Sequence, residues 1–233
     1  MDHISNSFRN QIAALTRVIN VMRCLKEDNV PCQIEEGLFL GSVGASNNKD
    51  ALKALNVTHI LTVAKSLRPA CPNDFVYKVI DVLDREDENI KQYFEECFDF
   101  IDEAKRAHGG VLVHCFMGRS RSVTIIVAYL MRKHGMSLSQ ALEHVKSRRK
   151  LAAPNAGFIS ELEDYEKSLC DAMRFNTYIT MTVITICKYH SEASVTESPV
   201  PSSSEKPYFV YVLGPKSGFS NSSGSLVARI EKF

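Results

Sequence analysis

Cys115 and Arg121 stand six positions apart in Val113-His114-Cys115-Phe116-Met117-Gly118-Arg119-Ser120-Arg121-Ser122, and what flanks this stretch constrains the fold more than any other feature. Before it, Val111-Leu112-Val113 reads as a central, buried strand. After it, Ser122 to His134 (SVTIIVAYLMRKH) is apolar nearly all round, the pattern of a buried helix stopped near Gly135. A strand must therefore end, a loop must turn and a helix must begin within a few residues. Such a loop points successive backbone N–H groups inward at the positive end of a helix dipole, a ready anion site for a phosphoryl group. Gly118 lets the backbone approach that anion without a Cβ in the way.

The same field acts on Cys115. It is expected to lower the thiol pKa from about 8.5 into the range of roughly 3.5–7.5 found at such positions. A thiolate can attack phosphorus, and the planar fork of Arg121 can hold two equatorial oxygens, a grip that lysine cannot reproduce.

Between Gly37 and Cys170 the chain alternates short β-branched runs with helical periods, which gives the α/β fold class. Strands are expected at Gly37-Leu38-Phe39-Leu40-Gly41, over 57–63 (VTHILTV) and over 75–82 (FVYKVIDV). Ile90, Tyr93, Phe94, Cys97, Ile101 and Ala104 recur at helical spacing. Ser137 with Gln140 forms a capping box for a helix striped by Leu138, Ala141, Leu142 and Val145, and a last helix runs from about Asn155 to Cys170. Beyond Asp171 the pattern changes. Residues 172–189 suit a strand or strand pair, 191–207 have linker composition and are expected to be disordered, and 208–233 fit no element; residues 171–233 form a divergent, partly disordered tail.

Composition excludes several function classes. A formal charge of +1 gives no global pull toward nucleic acid or anionic membrane, so phosphate affinity must be local. The first residues lack the apolar core and small-residue cleavage site of a secretory signal, and no apolar run reaches membrane-spanning length. Seven cysteines without CxxC pairs argue against a disulfide framework and a zinc site, and fit the cytoplasm or nucleus. The 233 residues suffice for one catalytic domain and a small appendage.

HCFMGRSRS followed by AYLM (Ala128 to Met131) and PNAGF (Pro154 to Phe158) resembles the dual-specificity protein phosphatases of the cysteine-dependent protein tyrosine phosphatase superfamily, most of all the short plant forms, over about Gln33 to Leu169. The resemblance implies the cysteine phosphatase fold, a central mixed sheet flanked by helices with the phosphate-binding loop between a buried strand and a helix. It implies a catalytic domain over 31–170, no metal and no cofactor, and hydrolysis of phosphotyrosine and phosphoserine/phosphothreonine in proteins, with mitogen-activated protein kinases as the family's common substrates. By that resemblance Cys115 is the nucleophile, Arg121 binds phosphate, and Ser122 stabilises the departing thiolate. His114, Phe116, Met117, Gly118, Arg119, Ser120 and Arg121 line the phosphate loop, His114 as a structural and pKa-tuning neighbour. A carboxylic acid must protonate the leaving oxygen. Asp81, Asp84 and Asp87 are available, and Asp84, five residues before the Asn89-Ile90-x-x-Tyr93-Phe94 helix start, has the family spacing; Asp87 and a plain solvated acidic turn are the alternatives. Asn155 is either a support for the phosphate loop or an N-cap.

Two other functions share these motifs: a pseudophosphatase that binds phosphoproteins without turnover, and a phosphoinositide or phosphoglucan phosphatase. Retention of Cys115, Arg121 and Asp84 argues against the first. Lipid-directed relatives usually carry loop lysines and glucan-directed ones a carbohydrate module, whereas here Arg119 is the one extra loop cation.

Residues 1–30 read as an N-terminal amphipathic helix. Within 8–26, Arg9, Arg17, Arg23 and Lys26 have no acid among them, and Phe8, Ile12, Leu15 and Val21 fall at a one-five-eight-fourteen spacing that suits calmodulin. Packing of this helix on the catalytic domain is the alternative, since Ile19 and Met22 extend the stripe.

Overall fold

The computed structural model describes residues 2–172, 174, 209–212 and 229–232. The chain divides into two units, Met1–Ile179 and Thr180–Phe233. In the first, helix α1 (Asp2–Glu27) precedes strands β1 (Cys32–Glu35) and β2 (Leu38–Gly41), the short helices α2 (Val43–Asn47) and α3 (Lys49–Ala54), and strands β3 (Val57–Val63) and β4 (Val76–Ile80). A 3₁₀ turn (Lys91–Tyr93) then opens into α4 (Phe94–Arg106), followed by β5 (Gly110–His114), α5 (Arg121–His134), α6 (Leu138–Arg148) and a helix over 156–172, α7.

Five strands form one mixed sheet in the order β1-β2-β5-β3-β4, with β1 antiparallel to β2 and the other pairs parallel. β5 is central and buried at every position, as its unbroken apolar run requires when both faces are covered. The period of two sorts the side chains. Leu38, Leu40, Leu61, Val63, Val111 and Val113 enter the large core shared with α4, α5, α6 and α7, while Phe39, Ile60 and Leu112 enter a smaller one with Leu52 of α3. α5 is buried continuously from Arg121 to Met131 and ends at Gly135, whose φ of +63° is the left-handed conformation of a helix stop. The Ser137–Gln140 capping box forms in both directions.

Sequence periodicity did not register β1, α2 or α3, each too short to complete a pattern. In α1, Phe8, Ile12, Leu15, Val18, Ile19 and Met22 are 50–63% exposed, so these members of the apolar stripe face solvent. No helix among the described residues is long and apolar enough to cross a membrane.

The second unit contributes strands β6 (Phe209–Val212) and β7 (Arg229–Lys232), an antiparallel pair in the stretch that fitted no element. The expected strands at 172–189 and the disordered linker at 191–207 lie outside the described residues but for Ala172 and Arg174, which are helical.

Candidate active site

Parallel strands place their carboxyl ends together, and the loop from β5 to α5 begins where Thr62 of β3 and Gly41 of β2 flank His114. The backbone carbonyls of this loop are all tied outward. Phe116 accepts from the Val43 N–H (3.1 Å), Met117 from Arg149 Nη2 (2.9 Å), Gly118 from Arg149 Nε (2.7 Å) and Arg119 from the Ala153 N–H (2.8 Å). Because a peptide's N–H is anti to its C=O, the N–H groups of the following residues turn the other way, and that of Arg119 bonds the Cys115 sulfur. Gly118 takes φ +60°, and a Cβ there would sit 2.4 Å from the Gly41 carbonyl oxygen. Only glycine lets the loop close on β2.

Cys115 is buried, and its Sγ accepts from the Ser122 hydroxyl at 3.2 Å. Burial alone pushes the thiol up. The positive charge of Arg121, the Ser122 hydroxyl and the backbone N–H groups of Ser122 and Arg119 outweigh it, and the thiol lies below its ordinary value. Arg121 Nη1 donates to the Val82 carbonyl at 3.1 Å, which fixes the guanidinium. Its Nε is buried and has no hydrogen-bond partner among the described residues, an unsatisfied charged donor of the kind an anion would complete.

His114 is a buried neutral ring. Desolvation lowers its pKa to about 4. Since the Cys115 carbonyl can only accept, Nδ1 carries the proton toward it (3.2 Å) and Nε2 accepts from the Thr62 hydroxyl (2.8 Å). The Cys115 carbonyl fixes the tautomer and Thr62, which carried no sequence signal, answers the other ring nitrogen.

Asp84 meets this loop from the segment after β4. Its Oδ1 accepts from the Ser120 hydroxyl (2.7 Å) and from Asn155 Nδ2 (3.0 Å), and its Oδ2 lies 3.7 Å from Arg121 Nε. Asp84, Cys115 and Arg121 line one cavity of about 580 Å³ with Lys65, Arg85 and Arg119. Asp87 instead pairs with Arg85 at 2.6 Å on the open surface. Asn155 Oδ1 accepts from the Phe158 N–H at the start of α7 (2.9 Å), while its side-chain amide donates to Asp84 and its backbone N–H reaches Ser120 Oγ (3.2 Å). Gly157 presses α7 against the acid segment, where a Cβ would lie 2.0 Å from the Glu86 carbonyl oxygen.

Known proteins are similar to this chain in sequence and in fold. The family model of the dual specificity phosphatase catalytic domain matches residues 38–168, more than half of the chain. The chain belongs to the dual specificity phosphatase family. Dual specificity protein phosphatase 1 of Arabidopsis thaliana is 64% identical over 169 residues, 72% of this chain and 85% of that protein. Dual specificity protein phosphatase 1B of the same plant is 61% identical over 137 residues, 59% of this chain and 82% of that one. Among solved structures, the human tyrosine phosphatase-like serine/threonine/tyrosine-interacting protein is 33% identical with a TM-score of 0.59, covering 61% of this chain and 99% of its own. As a dual specificity phosphatase the chain is a protein tyrosine/serine/threonine phosphatase, a phosphoric monoester hydrolase with the cysteine phosphatase fold.

Proposed function

We propose that this dual specificity phosphatase works through a cysteinyl-phosphate formed on Cys115, within a catalytic domain spanning residues 31–170. The observation that carries the reading is the convergence of the Cys115 thiol, the Arg121 guanidinium and the Asp84 carboxyl on one cavity. Arg121 and the inward N–H groups of residues 116–121 hold the phosphoryl oxygens. The Cys115 thiolate attacks phosphorus, the bond from phosphorus to the substrate oxygen breaks, and Asp84 gives that oxygen its proton. Asp84, now a carboxylate, takes a proton from water as the water oxygen attacks phosphorus. The S–P bond breaks and inorganic phosphate leaves. Electrons return to sulfur, where the Ser122 hydroxyl, 3.2 Å away, steadies the thiolate. Asp84 is preferred over Asp87 because it alone of the two lines the cavity.

Phosphoproteins of the cytosol or nucleus are the substrates, with mitogen-activated protein kinases the candidates that the sequence resemblance supplies. Turnover of a panel of phosphotyrosine and phosphoserine/phosphothreonine peptides, inositides and phosphoglucan tests the reading. It predicts turnover confined to the peptides; hydrolysis of an inositide or glucan alone would overturn it.

For the N-terminal helix, calmodulin is the proposed partner. The support is the solvent-facing stripe Phe8, Ile12, Leu15, Ile19 and Met22 on a segment rich in arginine. A calcium-dependent gel shift of peptide 8–26 is expected, and no shift at micromolar peptide would remove calmodulin from consideration.

A further inference from the structure

The sequence RRK at 148–150 looks like an exposed basic run, yet Arg149 is only 5% exposed. A buried guanidinium is costly unless its donors are all answered. Here they are. Nε donates to the Gly118 carbonyl (2.7 Å) and Nη2 to the Met117 carbonyl (2.9 Å), while Asp28 takes both ends of the fork, Nη1 at 3.0 Å and Nη2 at 2.6 Å; Cys32 Sγ lies 3.5 Å from Nη1. Asp28 directly follows α1, and its own carbonyl accepts from the Ser42 hydroxyl (2.8 Å) beside the Gly41 turn that packs on Gly118.

We propose that Arg149 is a positioning residue for the phosphate loop: fixed by Asp28 at the foot of α1, it holds the peptide units after Met117 and Gly118 with their carbonyls outward and their N–H groups toward Cys115. The unit after Gly118 carries the Arg119 N–H, one of the groups that favour the Cys115 thiolate. Without the arginine the Gly118 carbonyl loses the tie described for it, and a flip of that peptide would aim a carbonyl at the sulfur and at the phosphoryl oxygens. Arg149 reaches none of the reacting atoms, so its effect passes through this backbone. The inference rests on the thiolate reading above.

The test is the pH profile of Cys115 alkylation by iodoacetamide, followed by mass of the Cys115 peptide in the full-length chain, for wild type, Asp28→Asn and Arg149→Lys. His114, Arg121 and Asp84 are the other titratable groups around the sulfur, Lys65, Arg85 and Arg119 line the same cavity, and all of them stay constant across the three proteins. Loss of one hydrogen bond to a charged group shifts the Arg149→Lys midpoint upward by about one pH unit, and Asp28→Asn gives a smaller shift in the same direction. Asp28→Asn preserves shape and one acceptor, so it reports even where Arg149→Lys melts early. Unmoved midpoints in folded variants, beside a low wild-type midpoint, overturn the positioning role alone. A wild-type midpoint at the value of an ordinary thiol overturns the thiolate reading itself. A shift with Arg149→Lys and none with Asp28→Asn removes Asp28 from the proposal.

Discussion

Replacement of Asp84 by asparagine separates proton donation from geometry. The amide keeps an oxygen where Oδ1 accepts from Ser120 at 2.7 Å and Asn155 at 3.0 Å, so the segment stays in place while the transferable proton is lost. The loss expected is that of general acid catalysis, about 10²–10⁴ in rate, or about 2.7–5.4 kcal/mol of barrier. It applies in full to a serine or threonine alkoxide, which cannot leave unprotonated. The penalty shrinks as the leaving group becomes a weaker base. Steady-state kcat/KM measured on a phosphoserine peptide and on a series of aryl phosphates should therefore give a deficit that closes toward p-nitrophenyl phosphate. Asp87→Ala, which removes only a solvent-exposed partner of Arg85, should leave both rates at the wild-type level. Near-normal peptide turnover by Asp84→Asn together with a crippled Asp87→Ala would refute the assignment.

Cys115→Ser should abolish turnover yet retain phosphoprotein in a pull-down that free phosphate competes away, because Arg121 and the loop N–H groups are untouched; full activity in that variant would sink the thiolate mechanism. Gly118→Ala must place a side chain at φ +60°, at about 1–2 kcal/mol, and relieve a 2.4 Å approach to the Gly41 carbonyl oxygen by moving the loop. A displacement of about 1 Å at the reacting centre costs on the order of 100-fold in kcat/KM, readable on p-nitrophenyl phosphate beside a thermal melt. His114 supplies a pH signature with a definite sign. Its folded-state pKa of about 4 lies below the unfolded value of 6.5, so the unfolded chain binds more protons between them and stability falls as the pH drops through that window. About 2 kcal/mol should be lost between pH 7 and 5, or about 4–8 °C in Tm, and His114→Asn should remove that part of the slope. His59, lowered by its own burial, pulls in the same direction and remains in both proteins as a common background.

Strong periodicity and chemistry shared by neighbours in the chain were legible in the sequence. β3 spans the same residues as its VTHILTV run, α5 is buried as its all-round apolar pattern demands, and the cysteine, arginine and following serine meet because one loop carries them. Asp84 was singled out only by its spacing from the next helix, with Asp87 left open; in the structure one bonds Ser120 and Asn155 and the other Arg85. Thr62, Asp28 and Arg149 were not legible. Each acts across a long sequence separation through hydrogen bonds that no local pattern encodes, and an arginine in RRK looks like any solvated charge. The exposure of the α1 stripe was equally hidden, since amphipathicity fixes a face but not what covers it.

On the reading proposed above, the packing of Gly157 on Glu86, with Asn155 and Ser120 on Asp84, lets the fold itself hold the acid in place. A site assembled in advance owes little of its selectivity to induced fit, in which only the right substrate can draw the catalytic groups together. On the reading proposed above, a phosphopeptide that reaches the loop meets nucleophile, clamp and acid already in register, whether the oxygen belongs to a tyrosine ring or to a serine or threonine side chain. Discrimination then moves from the chemical step to delivery: which phosphoproteins are brought to the cavity, and for how long, decides what is dephosphorylated.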